Sequence, residues 1–286
     1  MTKPASYYKK LEELSLAEKP INLETCIEIL ESPNIELLSL INASFTIRKK
    51  YWGKDVLVHI LNNVQNGHCS EDCNYCAQSK SSKAKIKTYK MKSESQIMEE
   101  AKYAYESGAF RHCLVFSGRH QNKNHIDKIV KIIKKIKSNY NLQVCVSPGA
   151  ITLDEAKILK SAGLDRINHN LNTSEEYYKK ICTTHKYTER LKTLENARKA
   201  NLEICSGLIV GMDESTSDII NIALKLHSLK IASIPINFFM PIPGLALKPK
   251  TTLTPEYCLR ILCLFRFLNP KAEIRAAAGR ELHLRH

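Results

Sequence analysis

The chain has 286 residues, 43% of them hydrophobic, which suits one large domain with a sizeable core and excludes a disordered chain. No apolar run reaches the roughly 18 residues of a membrane span, and the opening Met1-Thr2-Lys3-Pro4 lacks an apolar leader segment, so a cytoplasmic protein without membrane segments is expected. The net charge of +14 reads as a lysine-rich solvated surface rather than a nucleic-acid site, because the densest basic run, 80–92, carries a single aromatic, Tyr89.

Residues 1–50 read as helical and form a segment expected to pack on the body that follows, 51–286. In the run 22–30, Leu23, Cys26, Ile27 and Leu30 fall at helical spacing, and 35–51 is periodic as well. From there strands and helices alternate. Strands are expected at 55–61, 111–118, 142–146, 165–171, 202–211, 233–240 and 272–279. Helices are expected at 93–108, 124–138, 152–163, 188–200, 216–229 and 254–268. Ser93 and Thr152 supply N-caps, and Thr254-Pro255-Glu256 puts proline at a first helical position. Such alternation implies a parallel sheet with helices outside, an α/β barrel of the TIM type, whose functional groups gather at the carboxyl ends of its strands.

Ten cysteines in a chain of this kind point to metal ligation rather than disulfides. Cys69, Cys73 and Cys76 stand at C-x3-C-x2-C spacing in the loop after the first strand. Three thiolates on one short loop can hold a cubane iron–sulfur cluster and leave one of its four irons without a protein ligand. A structural zinc site or three unrelated thiols stay open at this point, although zinc closed by protein usually has four ligands and no second pair follows nearby. Cys113, Cys145 and Cys205 lie within expected strands, as does Arg275; if all four point inward they meet in the lumen. A strand cysteine is otherwise a small hydrophobe, but an arginine inside an apolar strand needs an anionic partner. Arg111, beside Cys113, offers a second positive charge. Asn168, Asn170 and Asn172 alternate and are expected to share one face, where amides can hydrogen-bond a bound ligand; Asn237 on the sixth strand is a further polar contact. His68 and His169 are expected to pack or hydrogen-bond rather than ligate, and Cys26, Cys258 and Cys263 to be buried thiols, with Cys182 outside the motifs.

The C-x3-C-x2-C loop is similar to the signature of the radical S-adenosylmethionine (SAM) superfamily, and the chain from about 66 onward resembles the biotin synthase family. The resemblance rests on N-G-H-C-S-E-D-C-N-Y-C-A-Q-S at 66–79, Y-K-M at 89–91, S-G-R at 117–119 and D-R-I-N-H-N-L-N-T-S-E at 165–175. It continues in T-T-H-x-Y at 183–187, C-S-G-L-I-V-G-M at 205–212, I-P-I-N-F at 234–238, L-F-R-F-L-N-P at 264–270 and I-R-A-A-A-G-R-E at 274–281. It implies a radical SAM sulfurtransferase that converts dethiobiotin to biotin, using two deoxyadenosyl radicals. It assigns Cys69, Cys73 and Cys76 to a [4Fe–4S] cluster, and Cys113, Cys145, Cys205 and Arg275 to a sulfur-donating [2Fe–2S] cluster. It gives Tyr75, Asn170, Asn172 and the stretch around Ile209 to SAM, and Asn168, Asn170 and Asn237 to the substrate region; many family members have aspartate where Asn172 stands. It also implies a flavodoxin- or ferredoxin-type electron donor and a homodimer. The family pattern continues past Arg275 into an eighth strand and a closing helix, so an open edge between strands seven and one is expected here. Another radical SAM reaction on the same barrel (rearrangement or metallocluster maturation) and a truncated remnant that binds clusters without catalysis are the alternatives.

Overall fold

A computed structural model describes residues 2–67, 69–250 and 252–285. Three helices come first: α1 (Ala5–Leu16), α2 (Leu23–Glu31) and α3 (Leu37–Trp52). The body then runs β1 (His59–Asn63), α4 (Glu94–Glu106), β2 (Arg111–Val115), α5 (Lys123–Asn139), β3 (Gln143–Ser147), α6 (Leu153–Ser161) and β4 (Arg166–Asn168). It continues with α7 (Glu175–Ile181), α8 (Tyr187–Lys199), β5 (Glu203–Cys205), β6 (Leu208–Val210), α9 (Thr216–Ser228), β7 (Ser233–Phe238), α10 (Pro255–Leu268), β8 (Glu273–Ala276) and α11 (Arg280–His283).

The helix starts follow local chemistry. The side chains of Ser93, Thr152 and Thr254 each accept from the backbone N–H three residues on, and Ser93 and Thr152 complete capping boxes with Gln96 and Glu155. The N-terminal helices dock on α10. Arg260 donates to the carbonyls of Ile29, Ser32 and Ile35 around the end of α2, and Ser15 Oγ donates to Phe267 O at 2.8 Å. These contacts satisfy carbonyls that a helix end leaves open.

All strand pairs are parallel, in the order β1-β2-β3-β4-β5-β7, with β8 on the far side of β7 and β6 also paired to β7. β5 and β6 are two halves of the strand expected over 202–211, interrupted at Ser206 and Gly207. A Cβ on Gly207 would lie 1.9 Å from the Pro235 carbonyl oxygen, so only glycine lets β7 approach here. Gly207→Ala must displace β7 and is expected to cost about 2–3 kcal/mol, read as a lower midpoint in urea unfolding; an unchanged midpoint would show that β7 yields freely.

Several strand ends depart from expectation, among them the strand expected over 111–118, which ends at Val115, and that over 233–240, which ends at Phe238. The first strand starts at His59 rather than at 55, because its partner β2 begins at Arg111, opposite His59, and leaves the preceding residues nothing to pair with. The strand expected over 165–171 stops at Asn168; beyond it the chain turns, with Asn172 at φ +72. The strand expected over 272–279 ends at Ala276. Among the described residues β1 pairs only with β2 and β8 only with β7, so the barrel is open between them. The short helices α7 and α11 were not anticipated from periodicity, being too short to show one.

The sheet has one oily side and one polar side. Leu114, Val144, Val146, Ile167, Ile204, Ile234 and Ile236 point outward and are fully buried under the helices. The alternate positions face the lumen and carry Arg111, Cys113, Cys145, Arg166, Cys205, Glu273 and Arg275, in register across neighbouring strands. The sheet curls enough for non-adjacent strands to touch across the lumen. Arg166 on β4 makes a bidentate pair with Glu273 on β8, at 2.5 and 2.9 Å, and also holds Glu203 at 2.8 and 3.0 Å.

Candidate active site

The loop between β1 and α4 is folded by its own backbone. Cys76 N donates to Cys73 O, Ser79 N to Cys76 O and Lys80 N to Glu71 O, at 2.9–3.1 Å. Gly67 N donates to Gln78 Oε1 at 2.8 Å, and Asn74 N ties the loop to Ile181 O at 3.0 Å. This wrapping brings Cys69, Cys73 and Cys76 to the wall of one cavity of about 540 Å³. The remaining walls come from the segments that follow β2, β3 and β4, including Arg119, His169, Asn170 and Asn172. The cavity therefore lies at the carboxyl end of the sheet, where a parallel barrel gathers its chemistry.

Two residues selected from the sequence meet directly: Asn172 Nδ2 donates to Tyr75 Oη at 2.7 Å. Asn170 Oδ1 accepts from Gly207 N at 3.0 Å, which leaves its amide nitrogen free to face the cavity. Asn168 stays on β4, outside the cavity lining, with Oδ1 buried and without a partner among the described residues. Asn168, in register with the lumen-facing Cys205, stays on the inner face of β4, and because the strand ends there His169 lines the cavity beside Asn170 and Asn172. Burial holds the His169 imidazole well below its ordinary pKa, so it sits there neutral. Asn237 donates to Leu208 O at 2.9 Å and accepts from Ala278 N at 3.2 Å, so both ends of its amide clip backbone. Ile209 is half-buried on β6, in register with Asn237.

The inward quartet lies deeper than this cavity, outside its lining. Cys113 and Cys145 are cross-strand neighbours, and Arg275 Nη1 stands 3.6 Å from Cys205 Sγ. A hydrogen bond from Cys113, then burial, holds the Cys145 thiol well above its ordinary range. Burial likewise pushes Cys205 up to about 11, partly offset by Arg275 and Arg166. Around these thiols stand buried nitrogens that lack hydrogen-bond partners. Arg111 Nε and Nη1 and both ring nitrogens of His59 are buried with no hydrogen-bond partner among the described residues. Burial, then the charge of Arg275, presses the His59 pKa down to about 3. Orphaned buried donors are costly, and a thiolate-bound anionic cluster among them would supply the missing acceptors.

The sequence reading missed one group. Cys182, set aside there as lying outside the motifs, has its Sγ 3.6 Å from Cys73 Sγ and 2.8 Å from His185 Nδ1. Arg190, half-buried beside them, donates to Asn170 O at 2.7 Å and to Tyr178 Oη, with Nη2 3.2 Å from His185 Nε2. The available signal was the T-T-H-x-Y stretch directly after Cys182, together with Asp72 inside the cysteine loop, which accepts from Thr183 N and Thr184 N at 2.9 and 3.1 Å. Cys26, Cys258 and Cys263 are buried thiols in the helical layer, each pushed up to about 11 by burial. His68 lies outside the described residues.

Residues 65–226 match the Radical SAM superfamily, and residues 235–286 match the Biotin and Thiamin Synthesis associated domain. The chain is 51% identical over 275 residues to the biotin synthase of Magnetococcus marinus, covering 96% of this chain and 86% of that protein. It is 48% identical to the biotin synthase of Acaryochloris marina, covering 94% of this chain and 78% of that one. Methylornithine synthase shares the fold, with a TM-score of 0.80 at 18% identity over 92% of this chain and 78% of that one. With the three-cysteine loop at the barrel mouth and identity at this level along nearly the whole length, the chain belongs to the biotin synthase family of radical SAM enzymes.

Proposed function

We propose that this chain converts dethiobiotin to biotin by inserting one sulfur atom between two carbons. Cys69, Cys73 and Cys76 hold the [4Fe–4S] cluster that binds SAM, and Cys113, Cys145, Cys205 and Arg275 hold the [2Fe–2S] cluster that gives up the sulfur. The observation that carries this reading is the shared inner face of that quartet, ringed by the unpartnered Nε and Nη1 of Arg111 and the unpartnered ring nitrogens of His59. A rearrangement enzyme has no use for such a pocket. When bound, SAM on the larger cluster supplies the radical chemistry that an unactivated C–H bond requires, and the smaller cluster supplies sulfide.

The chain's own residues position and shield. Tyr75 and Asn172, joined at 2.7 Å, form a rigid side of the SAM cavity. The free amide nitrogen of Asn170 donates to a ribose hydroxyl, and the buried, unpartnered Oδ1 of Asn168 accepts from an N–H donor such as the ureido group of the substrate. Asn237 is a strand clip in this reading and touches neither. Electrons come from a flavodoxin- or ferredoxin-type donor, and the working unit is a cytoplasmic homodimer, both carried over from the family resemblance. Among the described residues no helix is long and apolar enough to cross a membrane.

The test is an anaerobic incubation with dethiobiotin, SAM and a reductant, scored for biotin and 5′-deoxyadenosine. Both products are expected; deoxyadenosine without biotin would reassign the chain to another radical SAM reaction, and neither product would leave a cluster-binding remnant. The SAM wall has its own test. Asn172→Gly, which tolerates the φ of +72, is expected to weaken SAM binding about ten-fold, whereas Asn172→Asp, which keeps an acceptor, should change it less than about three-fold. Equilibrium dialysis with labelled SAM separates the two; equal affinities would remove Asn172 from the cofactor site.

A further inference from the structure

Cys182 follows the last residue of α7, and His185 lies in the turn before α8; both face Cys73 of the cluster loop. The Sγ atoms of Cys73 and Cys182 are 3.6 Å apart, and His185 Nε2 lies 4.0 Å from the first and 3.9 Å from the second. A tetrahedral zinc ion, with Zn–S of about 2.3 Å and Zn–N of about 2.0–2.1 Å, sets its ligand atoms roughly 3.5–3.8 Å apart. The triangle in this chain is close to that size, and a turn of the ring, which now presents Nδ1 to Cys182 Sγ at 2.8 Å, aims Nε2 at the two sulfurs. Cysteines that bind different irons of one cubane must stand farther apart than this, so the close pairing of Cys73 with Cys182 suits a single ion and not a cluster.

The surroundings fit as well. Tyr178 Oη stands 3.3 Å from His185 Nδ1, a partner that orients the ring and leaves Nε2 for metal. Without an ion the group is held by three contacts that metal would replace, Cys182 Sγ donating to Asp72 Oδ1 at 3.2 Å, Cys182 Sγ to His185 Nδ1 at 2.8 Å and Arg190 Nη2 to Nε2 at 3.2 Å. Arg190 keeps Asn170 O and Tyr178 Oη as acceptors after that exchange. Two thiolates neutralise a divalent ion, and the charges of Asp72 and Arg190 offset each other. Cys73 and His185 line the cavity, so the fourth coordination position opens to water.

We propose that, in the chain lacking its [4Fe–4S] cluster, Cys73, Cys182 and His185 bind one thiophilic divalent cation of the zinc class, and that this ion and the cluster exclude one another because both need Cys73. Binding releases the two thiol protons to solvent, and no electron moves. The ion site stands on its own geometry; the exclusion rests on the reading of Cys73 as a cluster ligand.

The experiment titrates the iron-free chain with Zn²⁺ against a chromogenic chelator, and with Co²⁺ for its thiolate-to-cobalt charge-transfer and tetrahedral ligand-field bands. Cys69→Ala/Cys76→Ala, which keeps the triad, is expected to bind one ion as the unchanged chain does. Cys182→Ala and His185→Asn, which keep the three loop cysteines, are expected to bind more than about 100-fold more weakly, since even the loss of an outer partner costs 10–100-fold. Circular dichroism verifies that each variant is folded. Zinc binding by folded Cys182→Ala at the unchanged affinity would overturn the site, because the ion would then sit on the loop cysteines. For the exclusion, the zinc-loaded chain should take up little [4Fe–4S] absorbance on reconstitution, and Cys182→Ala should take it up equally with and without zinc. Full cluster uptake by a chain that retains its zinc would sink the exclusion, and with it the role of Cys73 in the cluster, while leaving the ion site in place.

Discussion

Cys113→Ala should lower the iron content after anaerobic reconstitution from about six to about four per chain, removing the [2Fe–2S] absorption and leaving the [4Fe–4S] spectrum unchanged. The separation is expected because Cys113 sits on β2 in the lumen, in register with Cys145, whereas the three thiols proposed for the larger cluster lie on one loop at the mouth. No cysteine belongs to both sets. Biotin formation should vanish, and deoxyadenosine formation from SAM should persist, since the residues that build the SAM cavity are untouched. Arg275→Lys distinguishes a ligand from a charge: it should retain two-iron content with a shifted absorption envelope, because an ammonium cannot reproduce the guanidinium's planar fork. Iron that never exceeds four in the unchanged chain, with all cysteines present, would refute the sulfur-donating cluster outright.

The second large effect concerns stability. Glu273→Ala should destabilise the chain by about 3 kcal/mol, seen as a drop in melting temperature of roughly 6–12 °C. Glu273 and Arg166 have side chains only 9% and 3% exposed, so removing the carboxylate leaves a guanidinium that water cannot reach. Glu203 retains part of the charge compensation but is 55% exposed and holds Arg166 from one side only. Arg111, buried 3.7 Å from the same Glu203, adds a second positive charge to the imbalance. Replacing both partners, as Arg166→Met with Glu273→Leu, should recover most of the loss, because an apolar pair of similar volume carries no buried charge to desolvate. A melting point for Glu273→Ala within a degree of the unchanged chain would mean that the pair contributes nothing.

What was legible in the sequence depended on whether its cause was local. The caps of α4, α6 and α10 could be read because Ser93, Thr152 and Thr254 bond to N–H groups three residues away. The quartet could be read because strand alternation fixes a side chain's face, and register then carries that face from strand to strand. Strand ends were less legible, since β1 starts where β2 offers a partner and β4 stops where Asn172 enters a left-handed turn. Asn237 was less legible because an amide serves a ligand and a neighbouring backbone group equally well, and here it meets Leu208 O and Ala278 N. Cys182 was invisible for a different reason. It meets Cys73 across 109 positions of chain, a proximity created entirely by the packing of α7 against the cysteine loop.

The bidentate pair between β4 and β8 spans 107 positions. During synthesis, then, the guanidinium on the middle strand emerges well before Glu273, and the floor of the lumen cannot set until β8 has left the ribosome. Contacts of such long sequence separation are slow to form. β8 therefore works as a keystone: the nascent half-barrel stays loose at its base, with an arginine held only by Glu203 on the neighbouring strand, until Glu273 arrives and locks the arch.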